Sequence, residues 1–208
     1  YREILGICEG AKEDKSGWSN FLRHLVDRGL SGVKLIISDA CRGLVESVAD
    51  YLPDAQWQRC MVHFYRNVFS HVPSTKVREV THMLKAIHAQ ENRKAAQEKA
   101  ETVIADLRAQ RLTRAADLIE ESIGETLTYY GFPDSHWRKI RTNNPLERIM
   151  KEIRRRTRVV GAFPDGQSCL NLAAARLRHI AAGKWSARKY MSMTPLYQEQ
   201  HQTHGAVA

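Results

Sequence analysis

Apolar residues recur along this chain at two spacings, and the spacing changes once. In residues 2–8 the apolar Ile4, Leu5, Ile7 and Cys8 predict a strand. Residues 16–28 carry Trp18, Phe21, Leu22, Leu25 and Val26 at helical spacing, with Gly29 as the stop. Residues 33–38, Val-Lys-Leu-Ile-Ile-Ser, are short, apolar and β-branched, which predicts a buried strand. Residues 42–51 read as a helix closed by Leu52-Pro53-Asp54. Residues 55–60 read as a strand, and 62–72 as a helix that stops before Pro73. Strand and helix alternate three times, which predicts an α/β unit with parallel crossovers.

From residue 76 to 130 only helical spacing remains. Val77, Val80, Met83, Leu84 and Ile87 share one face. So do Ala96, Ala100, Val103, Ile104 and Leu107, and then Leu118, Ile119, Ser122, Ile123 and Leu127. About three helices rich in Ala, Glu, Lys, Gln and Arg are expected here. Residues 76–133 therefore read as an all-helical insertion into the α/β unit. Gly131-Phe132-Pro133-Asp134 is a turn, 144–158 a basic helix, 160–166 a loop and 167–182 a further helix ending at Gly183. Residues 194–208 read as a disordered tail, and no internal repeat is visible.

Composition adds a charge asymmetry. The chain has 208 residues, 43% of them hydrophobic and 26% charged, which suits a globular protein with a real core. Its net charge is +9. Between Ser135 and Tyr190 stand 14 Lys and Arg against only Glu147, Glu152 and Asp165. The basicity thus belongs to one segment, as at a polyanion site; a solvated basic face is the plainer alternative. Cys8, Cys41, Cys60 and Cys169 are irregularly spaced, which fits a reduced, cytoplasmic protein. No apolar run reaches the ~18 residues of a membrane span, and no membrane partner is expected. The chain starts at Tyr1 and reads as a fragment.

Three places carry candidate chemistry. Asp39 follows the apolar run 33–38 and precedes a helix, where parallel sheets place catalytic and ligand groups. A helix-capping Asp is the other reading. Glu147 lies early in the basic helix. With Asn144 as N-cap and Pro145 as first helical residue it would occupy the capping-box position, turned back and unable to hold a metal. Glu147, Lys151, Arg154 and Arg158 nevertheless form a stripe beside the apolar Leu146, Ile149, Met150 and Ile153. One carboxylate leading a row of cations suits a metal ligand followed by a phosphate track; an ordinary Glu–Lys pair is the alternative. An acid at a strand end and a second on a basic helix are the parts of a two-metal phosphoryl-transfer site for nucleic acid.

The third place is Cys60-x-x-His63. It resembles half of a zinc site, but no second pair has suitable spacing. His63 is expected to orient an active-site group or phosphate, with Cys60 packed in the core. No Walker loop, G-x-G-x-x-G or nucleophile elbow is present.

Together these motifs resemble the mutator-type transposases of bacterial insertion sequences. The matching residues are Ser38-Asp39-Ala40 with Gly43-Leu44, and Trp57-Gln58-Arg59-Cys60-x-x-His63-x-x-Arg66-Asn67. They continue in His136-Trp137-Arg138-x-Ile140-Arg141-x-x-Asn144-Pro145-Leu146-Glu147-Arg148 and in Arg155-Arg156-Thr157-Arg158-Val159-Val160-Gly161-x-Phe163-Pro164. Cys41-Arg42 depart from the usual His-acid pair after Ser-Asp-Ala.

The resemblance implies a ribonuclease H-like catalytic domain with a DDE triad. Asp39 matches the second acid and Glu147 the third, while Cys60 and His63 match the family's signature pair. Residues 1–75 would then be the first part of the core, lacking its first strands. Residues 134–193 would supply the catalytic helix and the basic helices that complete it. The implied activity is metal-dependent DNA cleavage and strand transfer with Mg²⁺ or Mn²⁺ held by Asp39 and Glu147, with His63 assisting. Arg148, Lys151, Arg154, Arg155 and Arg158 would contact DNA. The implied partners are transposon-end and target duplex DNA, bound by a homo-oligomer on the bacterial nucleoid. The family's first Asp and its amino-terminal DNA-binding region fall outside the matched residues, so the chain alone is expected to be inactive. A decayed DNA-binding remnant and a ribonuclease H-like nuclease or RNA-binding module are the rival readings.

Overall fold

The computed structural model describes residues 1–10 and 14–198. In chain order the elements are α1 (Lys15–Asp27), β1 (Leu35–Ser38), α2 (Arg42–Tyr51), β2 (Gln56–Arg59) and α3 (Met61–Phe69). There follow α4 (Val77–Ile87), α5 (Arg93–Ala109), α6 (Thr113–Ser122) and α7 (Asp134–Ile140). Then come α8 (Asn144–Val160), α9 (Gly166–Ala181) and α10 (Lys184–Ala187). Two 3₁₀ turns, Ile123–Thr126 and Thr128–Gly131, lie between α6 and α7. The chain divides into two compact units, one of residues 1–34, 41–55 and 143–208, the other of 35–40 and 56–142.

The first unit is built on the α1–α2 pair. Asp14 caps α1 by accepting from the Gly17 N–H at 2.9 Å, and Gly29, at φ 99°, follows its end. Leu22 and Leu25 of α1 and Leu44 and Val48 of α2 are buried. The two helices meet through small residues. Ser47, fully buried, hydrogen-bonds the Gly43 carbonyl at 2.7 Å, the Lys15 carbonyl at 3.1 Å and Ser19 Oγ at 3.0 Å. A Cβ on Gly43 would stand 2.6 Å from the backbone of Asp14 and Lys15, so only glycine permits this approach.

Residues 1–10, expected to contain a strand, have no regular secondary structure. A strand exists through its ladder, and β1 and β2 pair with each other. Here the Leu5 carbonyl accepts from Arg28 Nη1 at 2.8 Å, and Gly6 lies against Phe21 and Leu25 of α1.

The second unit holds the sheet, two parallel strands in the register Leu35↔Gln56 to Ser38↔Arg59. The expected strands at 33–38 and 55–60 are both present, trimmed to four residues each. So are the helices expected across 76–130. Phe64, Val68, Val80, Leu84, Ile87, Leu107, Ile119 and Leu127 are all at 0% exposure and make one continuous core across α3 to α6. Helix α7 was not expected from the sequence; Pro133 precedes it, and His136 and Ile140 are its buried residues.

A polar chain runs through that core. Gln58, at 0% exposure, donates to the carbonyls of Arg59 and Thr126, both at 2.8 Å, and accepts from the Tyr129 N–H at 2.8 Å. The Thr126 hydroxyl contacts His88 Nε2 at 2.8 Å, and His88 Nδ1 faces Tyr65 Oη at 3.0 Å and the Leu84 carbonyl at 3.1 Å. Arg141 Nη1 donates to the His88 carbonyl at 3.0 Å, which brings a fixed cation beside the ring.

Residues 194–198, the first of the expected disordered tail, are helical, and Leu196 is buried. The rest of that expected tail lies outside the described residues.

Two outcomes are expected. Burial, reinforced by the Arg141 charge and only partly offset by the Leu84 carbonyl, lowers the His88 pKa from 6.5 to about 4. The folded ring is therefore neutral while the unfolded one protonates near its ordinary value. Stability is fully present above that value and declines as pH falls from about 6.5 toward 4, by on the order of 3 kcal/mol. Thermal melts between neutral pH and pH 5 should show the decline, and His88→Gln should flatten it. Gly43→Ala should lower the melting temperature by an amount corresponding to about 2 kcal/mol or more, since the backbone atoms it meets cannot give way.

Candidate active site and nucleic-acid interface

Asp39 is exposed and stands one residue past β1, in the second unit. The backbone before it is tightly held. The Cys60 N–H donates to the Ser38 carbonyl at 2.6 Å, and Trp57 Nε1 donates to Ser38 Oγ at 2.9 Å. Ser38 Oγ in turn donates to the Asp39 carbonyl at 2.7 Å. The buried Ser38 and Cys60 thus fix where the strand ends and where the Asp39 carboxylate begins.

Cys60 is at 0% exposure and stands as the N-cap of α3. This agrees with its expected place in the core. His63 is the third residue of α3 and is half-buried. Arg59, just before the pair, is a buried cation missed in the sequence. Its Nη1 pairs with Glu125 at 2.8 Å, and its guanidinium stacks over Phe64 at 5.3 Å. Spacing could not reveal Glu125 as its partner, 66 positions away.

Glu147 lies in the first unit, half-buried, on α8. The helix begins at Asn144, as expected, but its cap lies one residue before the one considered above. Asn143, not Asn144, is the N-cap, and both Leu146 N–H and Glu147 N–H bond its carbonyl, at 2.9 and 3.1 Å. Glu147 is therefore the fourth helical residue, one past the capping-box position.

Beyond Glu147 the cations of α8 sort into two groups. At about 100° per residue, Glu147, Lys151, Arg154 and Arg158 fall within an arc of roughly 60°. Lys151, Arg154 and Arg158 are exposed, and among the described residues their side chains have no ion-pair partner. Arg155 and Arg156 turn instead to Glu152. Arg155 grips it with two bonds of 2.9 Å, Arg156 Nε approaches at 3.3 Å, and Arg176 of α9 reaches it at 2.7 Å. The Arg155 guanidinium, with Arg156 and Arg176, holds the Glu152 carboxyl well below its ordinary range, at about 2. The Glu152–Arg155 and Glu152–Arg156 spacings are legible as helical neighbours, whereas Arg176 is not. Arg148 is exposed and lies within electrostatic reach of Tyr190. Of the expected apolar stripe only Ile149 is buried; Leu146 is 53% and Met150 37% exposed. Gly161, at φ 81°, ends the helix, and Asp165 starts α9 by accepting from the Ser168 N–H at 2.6 Å.

Among the described residues no three His, Cys, Asp or Glu side chains group so as to hold a metal ion. No helix among them is long and apolar enough to cross a membrane.

Comparison with known proteins places these residues. The family model described as "Transposase, Mutator family" matches residues 1–187. A transposase of insertion sequence element IS1081 from Mycobacterium tuberculosis is 38% identical over 196 residues, 94% of this chain and 47% of that protein. A transposase of element ISRM5 from Rhizobium meliloti is 36% identical over 201 residues, 94% of this chain and 49% of the relative. A transposase of IS256 in transposon Tn4001 from Staphylococcus aureus is 31% identical over 194 residues, 92% of this chain and 49% of the relative. The chain spans about half the length of these relatives. Matched along nearly its whole length by the family model, the chain belongs to the Mutator family of transposases.

Proposed function

We propose that this chain is the carboxy-terminal catalytic part of an insertion-sequence transposase that cleaves DNA and transfers the strand. Its core is read as ribonuclease H-like, with residues 76–133 as an all-helical insertion. The observation that carries the reading is the arrangement of α8. Glu147 stands past the capping position and leads Lys151, Arg154 and Arg158, exposed cations with no ion-pair partner among the described residues. A carboxylate at the head of such a row suits a reacting phosphate whose neighbours are held along the strand.

The donor chemistry of Asp39 and Glu147 suits Mg²⁺ or Mn²⁺, hard cations that take carboxylate oxygens. These two residues would hold it, and when bound such a cation activates the attacking hydroxyl and stabilises the leaving oxygen. Asp39 contributes from a backbone fixed by Ser38, Trp57 and Cys60. His63, one turn into α3, would contact the scissile region. Lys151, Arg154 and Arg158, joined by Arg148, would hold backbone phosphates of transposon-end and target DNA. Arg155 is bridged to Glu152 and would reach DNA only by sharing that carboxylate. Assembly as a homo-oligomer on DNA in the bacterial cytoplasm belongs to the same reading.

Two carboxylates are too few to position two divalent cations, and misplacement of about 1 Å can cost ~10²-fold in rate. The 208-residue chain is therefore expected to bind duplex DNA without cleaving it. Binding should weaken steeply with salt. Arg154→Ala with Arg158→Ala should reduce the slope of log K against log salt by about 1.8, at about 0.9 per phosphate contact. In a version extended to the full length of the relatives, Asp39→Ala or Glu147→Ala should abolish nicking of transposon ends while leaving binding intact. Nicking that survives either change would remove that residue from the site. A salt-independent affinity would remove the phosphate track.

A further inference from the structure

The basic segment holds a second group of cations that α8 does not account for. An open cleft of about 630 Å³ in the first unit is lined by Arg2, Lys184, Trp185, Ala187 and Arg188. Three of these five residues are cations and none is an acid. Lys184 and Arg188 are exposed, and among the described residues neither has an ion-pair partner. Arg2 is held differently. Its guanidinium carbon lies 4.7 Å from the ring centre of Trp185 and 5.4 Å from that of Tyr190. Its Nε is buried and makes no hydrogen bond among the described residues.

Three like charges round one cleft repel one another, and nothing in its lining offsets that. Ion pairing gives no reason for them to converge. Stacking on Trp185 and Tyr190 orients the Arg2 guanidinium without consuming its N–H groups, because an aromatic face attracts the cation but leaves the planar fork free to donate. Lys184 and Arg188 lie at i and i+4 across α10 and the residue after it, which puts them on one side of that turn. A preoriented fork, two more cations and no acid make an anion site.

We propose that the Arg2–Lys184–Arg188 cleft is a second DNA contact, taking backbone phosphates apart from those held by the α8 row. The proposal rests on the reading of the chain as DNA-binding. Arg2 supplies a directed, two-pronged contact, and Lys184 and Arg188 supply mobile charge beside it. Trp185 acts as a positioning residue, since it keeps Arg2 aimed into the cleft.

The test uses the 208-residue chain and a labelled duplex, with affinity measured across a salt series. Lys184→Gln with Arg188→Gln should reduce the slope of log K against log salt by about 1.8, two phosphates at ~0.9 each. Arg2→Gln alone should reduce it by about 0.9. The charge-retaining pair Lys184→Arg with Arg188→Lys should restore the original slope, which a merely structural role would not predict. These losses should add to those of Arg154→Ala with Arg158→Ala. An unchanged slope in the Lys184/Arg188 variant, while the Arg154/Arg158 variant loses its share, overturns the cleft and leaves the DNA reading standing. Absence of salt-dependent binding by the unaltered chain removes both. Inorganic phosphate that displaces the duplex from the unaltered chain at matched ionic strength, but fails to do so in the Lys184/Arg188 variant, would make this a small-anion site and overturn the proposal.

Discussion

A two-stranded sheet is too small to hold itself together in water, and this one depends on Gln58. That side chain sits at 0% exposure in the middle of β2, where an unsatisfied amide would be costly. It is fully engaged instead, with the Thr126 carbonyl and the Tyr129 N–H as its distant partners. Those two groups belong to the 3₁₀ turns after α6, so the amide ties the strand to the end of the helical segment. Thr126 carries the connection on to His88, and Tyr65 closes it back to α3. The helices from α3 to α6 thereby become the cover that the two strands lack on their own.

The same constraint sets the strand end. β2 is fixed by Gln58, and β1 is fixed against it by a four-residue ladder. The last rung places Ser38 beside Trp57 Nε1 and under the Cys60 N–H. Asp39 is the next residue, and it is exposed. A buried polar network many residues away in sequence therefore decides where an exposed carboxylate leaves the backbone. This is why Trp57, Cys60 and the Ser-Asp-Ala turn belong to one argument, although only Asp39 offers a carboxylate.

Elements set by local periodicity were legible in the sequence. The faces of α4 and α5 are the clearest case: Val80, Leu84 and Ile87, then Ala96, Ala100, Val103, Ile104 and Leu107, are buried as their spacing predicts. Elements that depend on a distant partner were not. Residues 2–8 have a strand's composition but no ladder, because composition cannot supply a neighbour. Helix α7 is short and depends on burial of His136 and Ile140 more than on pattern. At the candidate site, the strand-end position of Asp39 and the stripe on α8 could be read directly. The N-cap of α8 was displaced by one residue, and that single step puts Glu147 past the capping-box position. Glu125 opposite Arg59 and Arg176 opposite Glu152 had no sequence signal at all, since each pair joins separate elements.

The acids of the basic segment show how a charge excess becomes a surface. Only three stand among its 14 Lys and Arg. Asp165 is committed to capping α9, and Glu152 gathers Arg155, Arg156 and Arg176. One carboxylate thus gathers three guanidinium groups and joins α8 to α9. Spread evenly, so many like charges would repel and weaken the fold without pointing anywhere. Concentrating the neutralisation on Glu152 leaves Lys151, Arg154 and Arg158 as a defined row. Glu147 at the head of that row is the third acid of the segment, aligned along the helix with the exposed cations. The row and its acid share a helix, and the rigid 1.5 Å rise per residue fixes the spacing of charge along any strand laid on it.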